Sequence, residues 1–144
     1  KLIFETLKMK ELEFTKIIKE NILKKNDFLE KLFEYFAFIL NDKEKIFIDA
    51  RKIMFESIHL YLHPKYKEEM KSYESTFSDM YKIIEDIFDD EMKKGFLKED
   101  SKESIKIILA TVDGMYYHSL ILSNYNLRKT VTDYLIQTTN QLKK

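Results

Sequence analysis

The segment from residue 95 to residue 124 carries the pattern that most constrains how this chain can fold. When residues are advanced by about 100° each, as in a helix, the apolar side chains fall on two roughly opposite faces. The first face carries Ile105, Ile108, Leu109, Val112, Tyr116 and Leu120. The second, called the seam face below, carries Ile107, Ala110, Gly114, Tyr117 and Ile121, with Thr111 and His118 at its edge. A helix on the core of a small monomer needs only one such face, so this helix needs two partners.

The seam face also contains two small residues four apart, Ala110 and Gly114. Gly inside a helix costs about 1 kcal/mol relative to Ala, so Gly114 calls for a packing reason such as the close approach of another helix. A polar edge with Lys106 and Asp113 separates the two faces on one side. We interpret the first face as the core of the subunit and the seam face as a homodimer contact. The alternative is a central helix enclosed entirely by its own chain.

Composition predicts an all-α domain. The 144 residues suffice for one domain, and only 2 Gly and 1 Pro leave little turn chemistry, so long helices joined by few links are expected. The 25 basic and 25 acidic residues cancel, without the basic excess of a nucleic-acid binder. The absence of Cys excludes disulfides and thiolate catalysis. No segment approaches about 18 uncharged apolar residues, so no membrane partner is expected.

Capping and turn residues divide the chain into six predicted helices. Asp27 follows Asn26 and can cap the second helix, and Gly95 supplies a left-handed stop for the fourth. Asp100 or Ser101 can cap the fifth helix, with Glu103 placed as in a capping box. The predicted helices cover residues 2–24, 28–40, 42–61, 65–94, 101–121 and 128–142.

The fourth predicted helix has an apolar stripe without leucine. The stripe consists of Tyr66, Met70, Tyr73, Phe77, Met80, Tyr81, Ile84, Ile87 and Phe88. Aromatic and Met side chains pack adaptably and line sites for apolar or aromatic ligands. The alternative is an ordinary core in a chain that is 14% aromatic.

The histidines and carboxylates do not predict a catalytic or metal site. Glu56 and His59 form one Glu-x-x-His motif, whereas a di-iron bundle needs two such motifs and two further carboxylates. Neither His63 nor His118 supplies the second motif, and His118 is expected to make a hydrogen bond at the seam. No Gly-rich phosphate loop or Ser–His–acid spacing occurs. We therefore predict no catalytic residues, no metal and no cofactor, and a protein that is not an enzyme.

The segment Gly95-Phe96-Leu97, followed by Asp100 and then by a helix centred on Val112-Asp113-Gly114, resembles the C-terminal half of TetR-type (tetracycline-repressor-like) transcriptional regulators. The order of helices is also similar: a long connecting helix, two medium ones, a long one and a final pair. The opening residues 1–4 are similar to the start of the connecting helix. The resemblance covers nearly the whole chain, although its motifs are short.

The resemblance implies a single domain over residues 1–144, folded as a six-helix orthogonal, up-down bundle in the cytoplasm. Its last two helices would form a four-helix interface in a homodimer, and its earlier helices would enclose a pocket for a small apolar or aromatic effector. The family's N-terminal helix-turn-helix domain is absent from this sequence, so operator DNA would be a partner only through that domain.

Two sets of site residues follow as expectations. The predicted effector-binding residues are Phe33, Phe36, Met54, Ile58, Tyr73, Phe77, Met80, Tyr81, Ile84, Val112 and Tyr116. The predicted dimer-interface residues are Ile107, Ala110, Thr111, Gly114, Tyr117, His118, Ile121, Tyr134, Leu135 and Thr138.

Two rival hypotheses remain beside the regulator domain. One is a helical homodimerisation module without a ligand, in which the aromatic stripe is only core. The other is a helical enzyme that uses a metal or cofactor, which would need His59 and carboxylates such as Glu56 to converge inside the bundle.

Overall fold

A computed structural model describes the backbone of residues 2–144. The side chains outside its description, besides residue 1, are those of Leu2, Ile3, His59, Ser72, Tyr73, Ser75 and Thr76. The described chain is helical throughout, which confirms the all-α prediction. Its α-helices are α1 (Leu2–Leu23), α2 (Phe28–Tyr35), α3 (Ala37–Leu40), α4 (Lys45–Leu62), α5 (Lys67–Lys93), α6 (Ile105–Ile121) and α7 (Leu127–Leu142), with 3₁₀ turns at Pro64–Tyr66 and Ser101–Ser104.

Helix α2 lies at the centre of the bundle and contacts α1, α5 and α7. The Asp27 carboxylate caps it by accepting a hydrogen bond from the Glu30 backbone N–H at 3.1 Å, as predicted. Phe28 and Leu32, one turn apart, are both buried. The Phe28 ring meets the Phe88 ring of α5 edge to face, with 5.2 Å between centroids. These contacts join the first and second halves of the chain in one core.

The predicted helix 28–40 is divided at Phe36, so this expectation was wrong in detail. Phe36 takes φ −90° and ψ 14°, which ends α2 and reorients the chain into α3. All six residues from 35 to 40 are buried. Side chains of consecutive residues point to all sides of the chain, so this segment packs inside the bundle and not along its surface.

Helix α4 begins at Lys45, three residues later than predicted, because Asn41 forms a turn. The Asn41 side-chain oxygen accepts hydrogen bonds from the backbone N–H groups of Lys43 and Glu44, each at 3.0 Å. This local bonding competes with helix formation over residues 41–44.

In the link between α5 and α6, one sequence prediction is confirmed and another is wrong. Gly95 has φ 77°, the left-handed stop that was predicted. The capping box was wrong, because Asp100 makes no side-chain capping bond and the buried Ser101 hydroxyl has no hydrogen-bond partner among the described residues. Helix α6 begins later, at Ile105, without a side-chain cap. The Glu103 N–H instead donates to the Asp100 carbonyl at 3.2 Å within a 3₁₀ turn.

The end of α7 is fixed to this same link by backbone hydrogen bonds. The Lys98 N–H donates to the Leu142 carbonyl and the Lys144 N–H donates to the Phe96 carbonyl, both at 3.0 Å. Leu97 is completely buried between these two bonds. The C-terminal end of α7 therefore stays next to the start of α6, with which α7 packs.

A buried ion pair connects α2 to the end of α5. Lys31 Nζ lies 2.7 Å from Glu91 Oε1, and both side chains are almost completely buried. The exposed Lys94 also reaches Glu91 Oε1, at 3.3 Å. Breaking a buried pair by removing one partner leaves an uncompensated charge in the core, whereas replacing both partners with apolar residues does not.

We therefore expect Glu91→Leu to lower the free energy of unfolding by about 3–5 kcal/mol, because it leaves Lys31 buried and unpaired. The double variant Lys31→Met/Glu91→Leu should recover most of this loss. The matched control is Asp86→Leu, which removes the exposed ion pair between Asp86 and Lys82. It should lower the free energy of unfolding by less than about 1 kcal/mol. Urea denaturation measures all three, and equal losses in Glu91→Leu and Asp86→Leu would contradict the assignment.

Candidate functional site

A mainly apolar cavity of about 100 Å³ lies where six helices of the described chain meet. Its lining residues are Lys10, Glu11, Phe14 and Thr15 of α1, Tyr35 of α2, Phe38 of α3, Ala50, Ile53 and Met54 of α4, Phe77, Met80 and Tyr81 of α5, and Leu109 and Asp113 of α6. A closed cavity of about 150 Å³ admits benzene. This one is smaller but partly open to solvent, so it has room for a short alkyl group or for a single small ring that is not fully enclosed.

Hydrogen bonds and ring contacts hold the cavity walls in place. The Tyr35 hydroxyl donates to the Met80 backbone carbonyl at 3.0 Å and so joins α2 to the middle of α5. The Phe14 ring contacts the rings of Phe38 and Phe47 edge to face, with centroids 5.9 and 6.0 Å away. Buried aromatic rings in such arrangements have fixed orientations. The walls on the α1, α2 and α3 sides are therefore preorganised.

Asp113 supplies a carboxyl group to this apolar cavity. The residue is exposed to water, yet much of its surroundings is protein, and burial raises the pKa of its carboxyl from 3.8 to about 6. Within the described chain Asp113 makes no ion pair or side-chain hydrogen bond. Burial, followed by the charge of Asp113, raises the pKa of the Tyr35 hydroxyl. The cavity lining therefore carries a carboxyl group that no ion pair within the described chain neutralises.

The structure brings four of the predicted effector-binding residues together in this cavity: Met54, Phe77, Met80 and Tyr81. Three others, Phe36, Ile84 and Val112, are completely buried in the core instead. Phe33 lies in a separate open groove with Arg128, and Ile58 is exposed. Tyr116 stacks on Phe55 of α4, with 4.1 Å between ring centroids. The Tyr73 side chain is outside the described residues.

Several lining residues were not anticipated from the sequence, chiefly those of α1 and α2 and the pair Leu109 and Asp113. Leu109 and Asp113 are four residues apart and so share one side of α6. The sequence contains that spacing, but it places Asp113 on a polar edge between two apolar faces and in the motif of the family resemblance, and it does not predict Asp113 as a lining residue. A lone carboxylate one turn from an apolar residue is an ambiguous signal until its packing partners are known.

The seam face of α6 is exposed along its length. Ile107, Tyr117 and Ile121 retain 66%, 60% and 64% of their accessible surface, and Ala110 and His118 are also exposed. Leu120, which was predicted to face the core, is 62% exposed beside them. The opposite side is buried through Ile105, Ile108 and Val112, as predicted. The rest of the described subunit therefore leaves part of the apolar surface of α6 uncovered.

Helix α7 contributes less to this exposed surface than expected. Leu135 is completely buried and Thr138 is 8% exposed, so both of these predicted interface residues lie inside the subunit. Tyr134 is partly buried against the core, as Thr111 and Gly114 are partly buried on α6. Ile136 of α7, at 41%, is the exposed large apolar residue of that helix.

Nothing within the subunit explains the glycine at position 114. No described atom beyond its own helix backbone and chain neighbours lies within 4 Å of a Cβ placed on Gly114. An alanine would fit there and would favour the helix by about 1 kcal/mol. Packing within the single subunit therefore does not explain why residue 114 is a glycine.

Among the side chains that the structure describes, no group of three or more His, Asp or Glu residues could hold a metal ion. Glu56 is exposed, and the His59 side chain is outside the description. None of the described helices combines the length and apolar character needed to cross a membrane. Comparisons with protein-family models, curated proteins and solved structures gave no match.

The raised pKa of Asp113 makes the stability of the protein depend on pH. Because the folded pKa of about 6 exceeds the usual 3.8, the stabilisation by the bound proton is complete below about pH 4 and is lost as the pH rises through 6. Asp113→Asn should therefore gain about 1 kcal/mol over the wild type between pH 4 and pH 7.5, a modest amount because water reaches the carboxyl.

Urea denaturation at a series of pH values measures this difference. The other titratable groups lining the cavity, Lys10, Glu11, Tyr35 and Tyr81, are the same in both proteins, so the difference isolates Asp113. Asp133→Asn, which removes a carboxylate paired with Lys129 on the surface of α7, is the control. If the Asp113→Asn and wild-type curves run parallel, the carboxyl does not titrate with a raised pKa.

Proposed function

We propose that this chain is the effector-binding and dimerisation domain of a TetR-type transcriptional regulator. The observation that carries the proposal is the double role of α6. Leu109 and Asp113 line the cavity, while Ile107, Ala110 and Gly114 belong to an exposed apolar face of the same helix. A sensing domain needs its ligand site and its subunit contact on a shared rigid element, and α6 meets that requirement.

The seam face supports the dimerisation half of the proposal. Large apolar side chains on one exposed helix mark a protein contact when they are contiguous. In a two-fold dimer the same face of each subunit meets its copy, so Gly114 of each α6 would lie close to the partner helix. This contact supplies the missing packing reason for Gly114, since a small residue permits close approach of two helix backbones.

The cavity supports the sensing half. A bound effector would contact α1, α4, α5 and α6 at once. It would shift the population between two arrangements only if it bound one of them more tightly. In a regulator of this type α1 is the helix connected to the DNA-binding domain, so a displacement of α1 would change the spacing of the two DNA-binding domains.

The size of the cavity favours a second candidate, a homodimerisation module without a ligand. Sites for drug-sized ligands usually measure about 300–1,000 Å³, whereas this cavity measures about 100 Å³. In that case the aromatic and Met residues of α5 serve only as core. Both candidates require the dimer, and they differ in whether a small molecule binds between α1 and α6.

The dimer is tested by sedimentation equilibrium of the wild type and of Ile107→Glu and Tyr117→Glu. The wild type should be a dimer at micromolar concentration, and each variant should weaken association at least about tenfold because it places a charge in the apolar contact. Leu23→Glu, at a residue that is 84% exposed at the end of α1, is the matched control and should leave association unchanged. A monomeric wild type would contradict the proposal.

Gly114→Ala provides a sharper test of the close approach. In the separated subunit the variant should be more stable by about 1 kcal/mol, because alanine favours the helix and meets open space. In the dimer it should weaken association, because the added methyl group separates the two helices. Unfolding and sedimentation measure the two effects independently. Stabilisation without any loss of association would place the subunit contact elsewhere.

A further inference from the structure

The charge of the cavity narrows the class of molecule that it can bind. Its walls are aromatic and Met side chains, but one side carries the carboxyl of Asp113, which has no ion-pair partner within the described chain. Glu11 lies on the same lining and adds a second acidic group. Lys10 is the one cationic side chain among the described lining residues, and it is exposed to water.

Water reaches the Asp113 carboxylate from one side, but the protein around it reduces its solvation, and an opposite charge placed against it recovers part of that loss. A neutral molecule would fill the cavity without this gain, and an anion would be repelled by the Asp113 carboxylate. Aromatic faces attract cations as well, and the rings of Phe14, Phe38 and Tyr81 lie on the lining. The lining therefore selects for positive charge combined with hydrocarbon.

We propose that the effector is a small hydrophobic amine, whose ammonium group pairs with Asp113 and whose single ring or short alkyl group occupies the cavity between α1, α4 and α5. This inference rests on the proposed function, since it specifies the ligand of the same cavity. The volume of about 100 Å³ sets the size limit of the hydrocarbon part. The charged end lies at Asp113, where water reaches the carboxyl.

Three probes of nearly equal size test the charge preference: benzylamine, the neutral benzyl alcohol and the anionic benzoate. At pH 7.5 benzylamine should bind to the full chain with a dissociation constant near 1 mM, the range expected for a ligand of about eight heavy atoms. Benzyl alcohol should bind at least about tenfold more weakly, and benzoate should not bind. Titration calorimetry gives the constants, and the methyl NMR signals of Met54 and Met80 report whether the probe occupies this cavity.

Asp113→Asn should remove the preference for benzylamine over benzyl alcohol, because it removes the charge that pairs with the ammonium group. The variant is expected to be at least as stable as the wild type, so a loss of preference cannot come from unfolding. Asp133→Asn on α7 removes the same charge from the surface and should keep the preference. Retention of the preference in Asp113→Asn would overturn the proposal.

The possible failures separate this inference from the proposed function. If both benzylamine and benzyl alcohol bind with equal affinity and shift the Met54 and Met80 signals, the cavity is a ligand site but the charge argument is wrong. If neither probe binds at concentrations of about 10 mM, well above the expected constant, both the amine and the sensing half of the function are contradicted. The oligomeric state then decides the dimerisation half on its own.

Discussion

Glu91, at the end of α5, forms a buried ion pair with Lys31 and directs the chain towards α6, on which both candidate surfaces depend. The pair fixes the end of α5 against the central helix α2 at a 2.7 Å separation. The backbone carbonyl of the same Glu91 accepts the N–H groups of Phe96 and Leu97, which sets the direction in which the chain leaves α5. A buried pair holds this geometry strictly, because any displacement exposes two unsolvated charges to the apolar core.

The two surfaces of α6 are coupled through its rigidity. Leu109 and Asp113 line the cavity, and the residues that follow them, Ala110 and Gly114, lie about 100° further around the helix on the seam face. A helix of 17 residues moves as a unit, so a shift that opens the cavity by moving α6 also moves the seam face. Couplings between two such sites are typically about 1–3 kcal/mol, enough to change a dimer geometry that is nearly balanced.

Two sequence signals that act locally predicted the structure, although the capping box after Asp100 did not form, and signals that depend on tertiary packing predicted it less well. The cap at Asp27 and the stop at Gly95 involve only neighbouring backbone atoms, and both are present. The break at Phe36 lies within a run of six consecutive buried residues, and local propensity does not encode that burial. Similarly, the stripe on α5 predicted Met80 as a candidate lining residue, but the opposite wall, including Asp113, depends on which helices meet. No periodicity within one segment contains that information.

Asp113 and Gly114 are adjacent residues that each lower the stability of the isolated subunit. The carboxyl of Asp113 is ionised near neutral pH in surroundings that disfavour its charge, and Gly114 weakens a helix interior without any packing gain inside the subunit. Natural proteins depart from local stability rules chiefly at sites where function requires it. A cation bound in the cavity would neutralise the charge of Asp113. A partner helix packed against Gly114 would offset the loss of helix stability there. The two departures thus assign the two proposed contacts to two faces, about 100° apart, of a single turn of α6.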